Sequence, residues 1–152
     1  MDSSKQPGIK FTGVHLLSLE FKIKGKPESM IPTGLTFETK AELSEDGKAL
    51  DLYMITDLFG DIEEPEKPPI DFNFVLHAGF EAAEQENLSL AEFARRQAPA
   101  HLIPYVRELI ANITTRSVLP TLNLGPINVI SMIESGQATF ELQQRPKDTQ
   151  EI

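Results

Sequence analysis

The side chains best suited to chemistry in this chain are its three histidines and its acids. His15, His77 and His101 lie far apart, and none has the H-x-x-x-H spacing that sets two imidazoles on one helix face, so no metal site is expected. His77 falls on the polar side of an alternating segment, as a solvated strand histidine would. With no cysteine there is no thiolate nucleophile, no cysteine zinc site and no disulfide framework. The carboxylate pair Glu63 and Glu64 has the composition for acid–base work, but a general acid needs burial to raise its pKa. These two sit in a proline-rich acidic stretch, Gly60 to Pro69, which reads as a solvated loop. Neither a G-x-S-x-G elbow nor a phosphate loop occurs. No catalytic residue, metal or cofactor is therefore expected.

The unusual segment is apolar. Leu119-Pro-Thr-Leu-Asn-Leu-Gly-Pro-Ile127 is too broken by proline and glycine for a helix or a central strand, yet connections are normally polar because their backbone faces water. Leu119, Leu122, Leu124 and Ile127 must either plug the domain's own core or line a surface that something apolar visits. Physics alone leans toward the plug.

The flanking elements follow from periodicity. Four segments alternate with period two, the mark of strands with one buried face: Ile9–Lys24, Leu35–Ser44, Leu50–Phe59 and Ile70–Phe80. In the first, Ile9, Phe11, Leu17, Leu19, Phe21 and Ile23 are expected inward. Short connectors, including Asp46-Gly47, leave no room for crossover helices and predict an antiparallel meander. The period then changes to about 3.6. Ser89 and Glu92 have capping-box spacing and open a short helix up to Pro99. A longer helix follows from about Pro99 to Val118, with Leu102, Ile103, Val106, Leu109, Ile110 and Ile113 on one stripe and Asn112, Thr114 and Thr115 opposite. Asn128 would cap a last helix to about Leu142, with Val129, Ile130, Ile133 and Phe140 inward. The expected architecture is α+β: a four-stranded antiparallel sheet, then a long helix, an extended linker and a C-terminal helix packed on one face.

The 152 residues are the length of one domain, spanning 1–152, with 1–8 and 143–152 read as flexible tails. At 40% hydrophobic and 24% charged residues, the composition is that of a globular domain. There is no run long enough to span a bilayer, and the first residues lack the features of a signal peptide, so a cytoplasmic chain without membrane insertion is expected. Of the net charge of −9, residues 38–71 alone carry −8. A phosphate backbone would be repelled there, which argues against nucleic acid and for a basic protein partner.

The run Ala100-His-Leu-Ile-Pro-Tyr-Val-Arg-Glu-Leu-Ile, followed by Leu119-Pro-Thr-Leu-Asn-Leu-Gly-Pro-Ile-Asn128, resembles the signature region of the SecB protein-export chaperones. The order of elements agrees. The resemblance implies a homotetramer built as a dimer of dimers, no enzyme activity, and apolar grooves that keep unfolded, export-bound polypeptides competent for translocation before passing them to the SecA motor ATPase. Carried over, Leu119, Leu122, Leu124, Ile127, Val129, Ile130 and Ile133 become candidates for client binding, which reverses the lean toward a plug. Glu20, Glu38, Glu42, Asp51, Asp57 and Asp71 would supply an acidic sheet face for the motor, and Asn112, Thr114 and Thr115 an oligomer contact. The fourth strand carries Phe74 and His77 about where the family has a glutamate, and the loop Gly60–Pro69 is longer than the family's hairpin. A SecB-like chaperone dedicated to one client, such as an antitoxin, is thus a second expectation. A rival from another class is a small-molecule enzyme with a cavity lined by Phe72, Phe74 and Phe80.

Overall fold

Alternating burial settles into strands close to where period two places them. The structure, a computed structural model, describes residues 8–24, 35–58, 70–82 and 89–144. The acidic loop Gly60–Pro69, with Glu63 and Glu64, lies outside the described residues, as do positions 1–7 and 145–152. Strands β1 (Ile9–Ile23), β2 (Leu35–Leu43), β3 (Ala49–Leu58) and β4 (Ile70–Ala82) pair antiparallel. In β3 every second residue from Leu50 to Leu58 is buried, and β4 repeats the pattern from Ile70 to Phe80.

β1 departs from the simple alternation. Its register against β4 shifts between Phe11 and Gly13, where Gly13 takes a φ of 147° that suits glycine, and again between Leu16 and Ser18. The second shift takes Leu17 out of register, and β1 is an edge strand of the sheet. Leu17, expected inward, is left 56% exposed, whereas Leu16 and Leu19 stand opposite buried Leu76 and Phe74 on the inner face and, at the edge of the sheet, stay 47% and 40% exposed.

Helix α1 (Leu90–Arg96) starts as its capping box predicts: the Glu92 amide donates to the Ser89 hydroxyl at 3.2 Å. After a single residue, Gln97, α2 (Ala98–Thr115) begins, with Pro99 in its first turn, where the missing donor costs least. Pro104 lies inside α2 on an exposed position. Leu102, Val106 and Ile110 are fully buried from this helix, against a sheet face made of Leu52, Met54, Phe72 and Phe74.

The last helix is shorter than expected. α3 (Val129–Glu134) is capped by Asn128, whose side chain accepts from the Ser131 amide at 3.0 Å, but it stops eight residues before Leu142. Gly136, at φ 83°, turns the chain, and the amides of Gln137 and Ala138 both donate to the Met132 carbonyl, at 2.8 and 3.0 Å. The chain then runs on as β5 (Thr139–Gln144), parallel to β2. The sheet therefore has five strands in the order β1-β4-β3-β2-β5, and one of its pairs is parallel. Phe140 belongs to this strand rather than to a helix, and Gln143 and Gln144 pair with Glu42 and Leu43 instead of opening a tail. No helix among the described residues is long and apolar enough to cross a membrane.

Candidate functional site

The linker between α2 and α3 is laid along the helix by two bonds that the sequence does not advertise. The Thr114 hydroxyl donates to the Ile110 carbonyl at 2.8 Å and accepts the Leu122 amide at 2.9 Å. Seven residues earlier on α2, Arg107 Nε donates to the Leu124 carbonyl at 3.1 Å. These clasps fix an extended segment in which Leu122 and Leu124 alternate with exposed Thr121 and Asn123. Leu119, Leu122, Leu124, Ile127, Ile130 and Ile133 all lean on the core yet stay partly exposed. Val129, expected among them, is buried outright. Met132 is a further half-buried apolar residue of α3, and its place one residue before Ile133 was the available signal. The outcome combines the two sequence readings: one side of the linker plugs the core while the same side chains keep an accessible edge.

Thr114 is 2% exposed and spends its hydroxyl inside the chain, so it is a linker anchor and not a surface for another copy. Asn112 and Thr115 are exposed. Asn112 Oδ1 accepts from Arg116 Nε at 2.8 Å, and the Thr115 and Thr121 hydroxyls are 2.7 Å apart. With Glu108, Ala111 and Asn123 these residues line an open recess of about 580 Å³ between α2 and the linker.

Strand register places Glu20, Glu38, Glu42, Asp51, Asp57 and Asp71 on the face of the sheet away from the helices. Their charge is partly compensated. Lys24 pairs with Asp71 at 3.0 Å, Lys40 approaches Glu38 at 3.7 Å, and Glu20 accepts from Asn73 at 3.2 Å. His77 Nε2 lies 2.8 Å from Asp51 Oδ1; since a carboxylate can only accept, the proton of the neutral ring sits on Nε2. Burial lowers the His77 pKa, outweighing the field of Glu42, while burial and then the neighbouring Asp71 raise that of Asp57.

The pocket required by the enzyme reading is filled. Phe72, Phe74 and Phe80 are at most 2% exposed, with the Phe72 and Phe74 rings 5.8 Å apart and Phe80 packed edge-on to Phe93 at 5.0 Å. Among the described residues, no three histidine or acidic side chains are grouped so that they could hold a metal ion.

No protein-family model matches the chain. An uncharacterized protein of Methanocaldococcus jannaschii is 25% identical over 154 residues, covering 99% of this chain and 98% of that one. The protein-export protein SecB of Histophilus somni is 34% identical over 71 residues, and that of Haemophilus ducreyi 46% identical over 43. These stretches span 42% and 25% of the two SecB proteins, and 44% and 28% of this chain. Among solved structures, the SecB-like chaperone Rv1957 of Mycobacterium tuberculosis, in complex with a ChAD peptide from the HigA1 antitoxin, superposes with a TM-score of 0.62. It is 20% identical, a level that speaks for the fold, and the match covers 79% of this chain and 88% of that one.

The chain has a SecB-like fold and is similar to SecB proteins over part of its length.

Its SecB-like character accounts for the run of proline, leucine and asparagine after α2, which otherwise has no place among ordinary connections. It also directs attention to the half-open linker rather than to the histidines.

Proposed function

We propose that this SecB-like chain is a chaperone that binds unfolded or export-bound polypeptides along the linker and α3. The observation that carries this reading is the burial state of Leu119, Leu122, Leu124, Ile127, Ile130 and Ile133: ordered and aligned, each keeping apolar area in water. Clients share little but short apolar stretches, so their receptor must offer many weak apolar contacts rather than one polar constellation. A half-buried leucine retains part of the roughly 1.5–3 kcal/mol that full burial provides, and a client collects it. Val129 contributes by holding the start of α3 down.

The assembly proposed is a homotetramer, a dimer of dimers, in the cytoplasm. Two surfaces support it: the recess at Asn112 and Thr115 on α2, and the edge of β1, where exposed Leu16, Leu17 and Leu19 invite a partner. Transfer of clients to the SecA motor would use the acidic sheet face of Glu20, Glu38, Glu42, Asp51, Asp57 and Asp71. A second reading, service to one dedicated client such as an antitoxin, is favoured by the solved SecB-like neighbour bound to an antitoxin peptide. Light scattering of an aggregating unfolded protein tests the central reading. Suppression near stoichiometric chaperone supports a general holdase, suppression confined to one client supports the dedicated role, and no suppression of any client overturns both.

A further inference from the structure

The clearest departure from an antiparallel meander is β5. It joins the sheet at the β2 edge in parallel, a pairing slightly less stable per residue than the antiparallel pairs around it, and it comprises six residues. Thr139, Glu141, Gln143 and Gln144 are exposed, while Phe140 and Leu142 lean on the core only in part. The β2 residues opposite these two are small, Thr39 and Ala41, so the inner face of the edge offers recesses that β5 fills with a larger apolar residue at every second position. The filling is imperfect. The Thr39 hydroxyl is completely buried and has no hydrogen-bond partner among the described residues, and such an orphaned group weakens the packing around it. The strand is tethered to the half-open site, because α3 and one tight turn at Gly136 separate it from the linker.

We infer that β5 is an internal stand-in for client, and that the β2 edge beneath it docks an extended polypeptide segment with apolar residues at alternate positions. The segment displaces β5, pairs its backbone with β2, and sets its apolar side chains over Thr39 and Ala41. Backbone pairing is indifferent to sequence and the recesses ask only for alternating apolar residues, which is the recognition chemistry of strand addition. Pairing by β5 in the unloaded state also keeps the β2 edge from joining the edges of other copies. The inference rests on the chaperone reading above and adds a second contact to the linker groove.

The absence of cysteine makes the test clean. Lys40 and Glu141 are register partners, both exposed, and Lys40→Cys with Glu141→Cys would bridge β2 to β5 when oxidised. The probe is a fluorescein-labelled peptide of alternating leucine and serine, with a chemically unfolded, alkylated protein measured in parallel. The oxidised variant is expected to bind the peptide at least tenfold more weakly than the same protein after reduction, and the reduced form to match the parent. Equal affinity in the two redox states would overturn strand displacement while leaving the chaperone reading in place. Failure of the parent to bind either probe would remove both. Hydrogen exchange on the unsubstituted protein provides the second measurement, for the case in which the bridged variant misfolds. Saturating peptide should raise exchange of the amides of 140–144 and leave β2 protected, and unchanged or greater protection of 140–144 would overturn the inference.

Discussion

Leucines and isoleucines occur in two states in this molecule. Those on the inner face of β3 and on α2, such as Leu52, Leu102 and Ile110, are completely sealed, whereas those of the linker, such as Leu119, Leu122 and Leu124, touch the same core and remain partly in water. The residue types are alike, and what differs is the backbone that carries them. Sheet and helix satisfy their own amides and so can be packed on all sides, but an extended linker must find partners for its amides elsewhere, here at Thr114 and Arg107, and cannot sink as deep. Partial burial is thus a consequence of the Pro-x-Leu-Asn-Leu-Gly-Pro sequence, and it leaves apolar area that is ordered and unused. The two sheet edges offer a similar contrast: β1 is bulged and presents bare leucines, while the β2 side is covered by β5.

The contrast can be broken most forcefully at the sealed end. Phe72→Ala should cost about 3–5 kcal/mol, a large part of a typical total of roughly 5–15 kcal/mol, and should appear as a steep fall in the midpoint of chemical unfolding. Thr114→Val keeps the volume but removes the clasp, stranding the Leu122 amide at a cost of about 1–3 kcal/mol. Its signature is local, with faster hydrogen exchange at Leu122 than at the amides of β3; equal acceleration of both would mean that the linker is not a separate layer. At the β1 edge, Leu17→Arg should leave the unfolding midpoint nearly unchanged yet lower the solution mass from the expected tetramer, near four times 16.9 kDa, to a smaller species. A monomer in the unsubstituted protein would contradict the assembly outright.

The smallest effect lies on the polar face. Because burial holds the His77 pKa below its usual 6.5, the unfolded chain takes up a proton before the folded one as pH falls through that value. Stability should therefore decline slightly from pH 7.5 toward pH 5.5, and His77→Gln should flatten the decline. Asp57, whose pKa is raised, acts in the opposite sense at lower pH, since the folded state protonates first.

Much of this arrangement is legible in the sequence. Period two located four strands to within about two residues at most ends, because each has one wet and one dry face, and Ser89 and Asn128 marked helix starts through their own side-chain chemistry. The bulges of β1 were not legible, since a one-residue slip leaves the composition of a strand unchanged while it puts Leu16 on the inner face and takes Leu17 out of the register. β5 was missed because Ile130, Ile133 and Phe140 satisfy a helical spacing as well as Ala138, Phe140 and Leu142 satisfy a strand; Gly136, at positive φ, was the residue that separates them. Thr114 looked like a polar residue on an outer helix face, and its role as an anchor depends on a linker that folds back on it.

The most direct test is the double variant Leu122→Ser, Leu124→Ser, with two quantities read on the same protein: the affinity for an unfolded, alkylated polypeptide and the thermal midpoint. A client-binding linker predicts at least tenfold weaker binding, equivalent to about 1.4 kcal/mol or more, with a modest shift in midpoint because the two side chains are only half buried. Intact affinity together with a steep fall in the midpoint would show that the linker is part of the core, and would contradict the account.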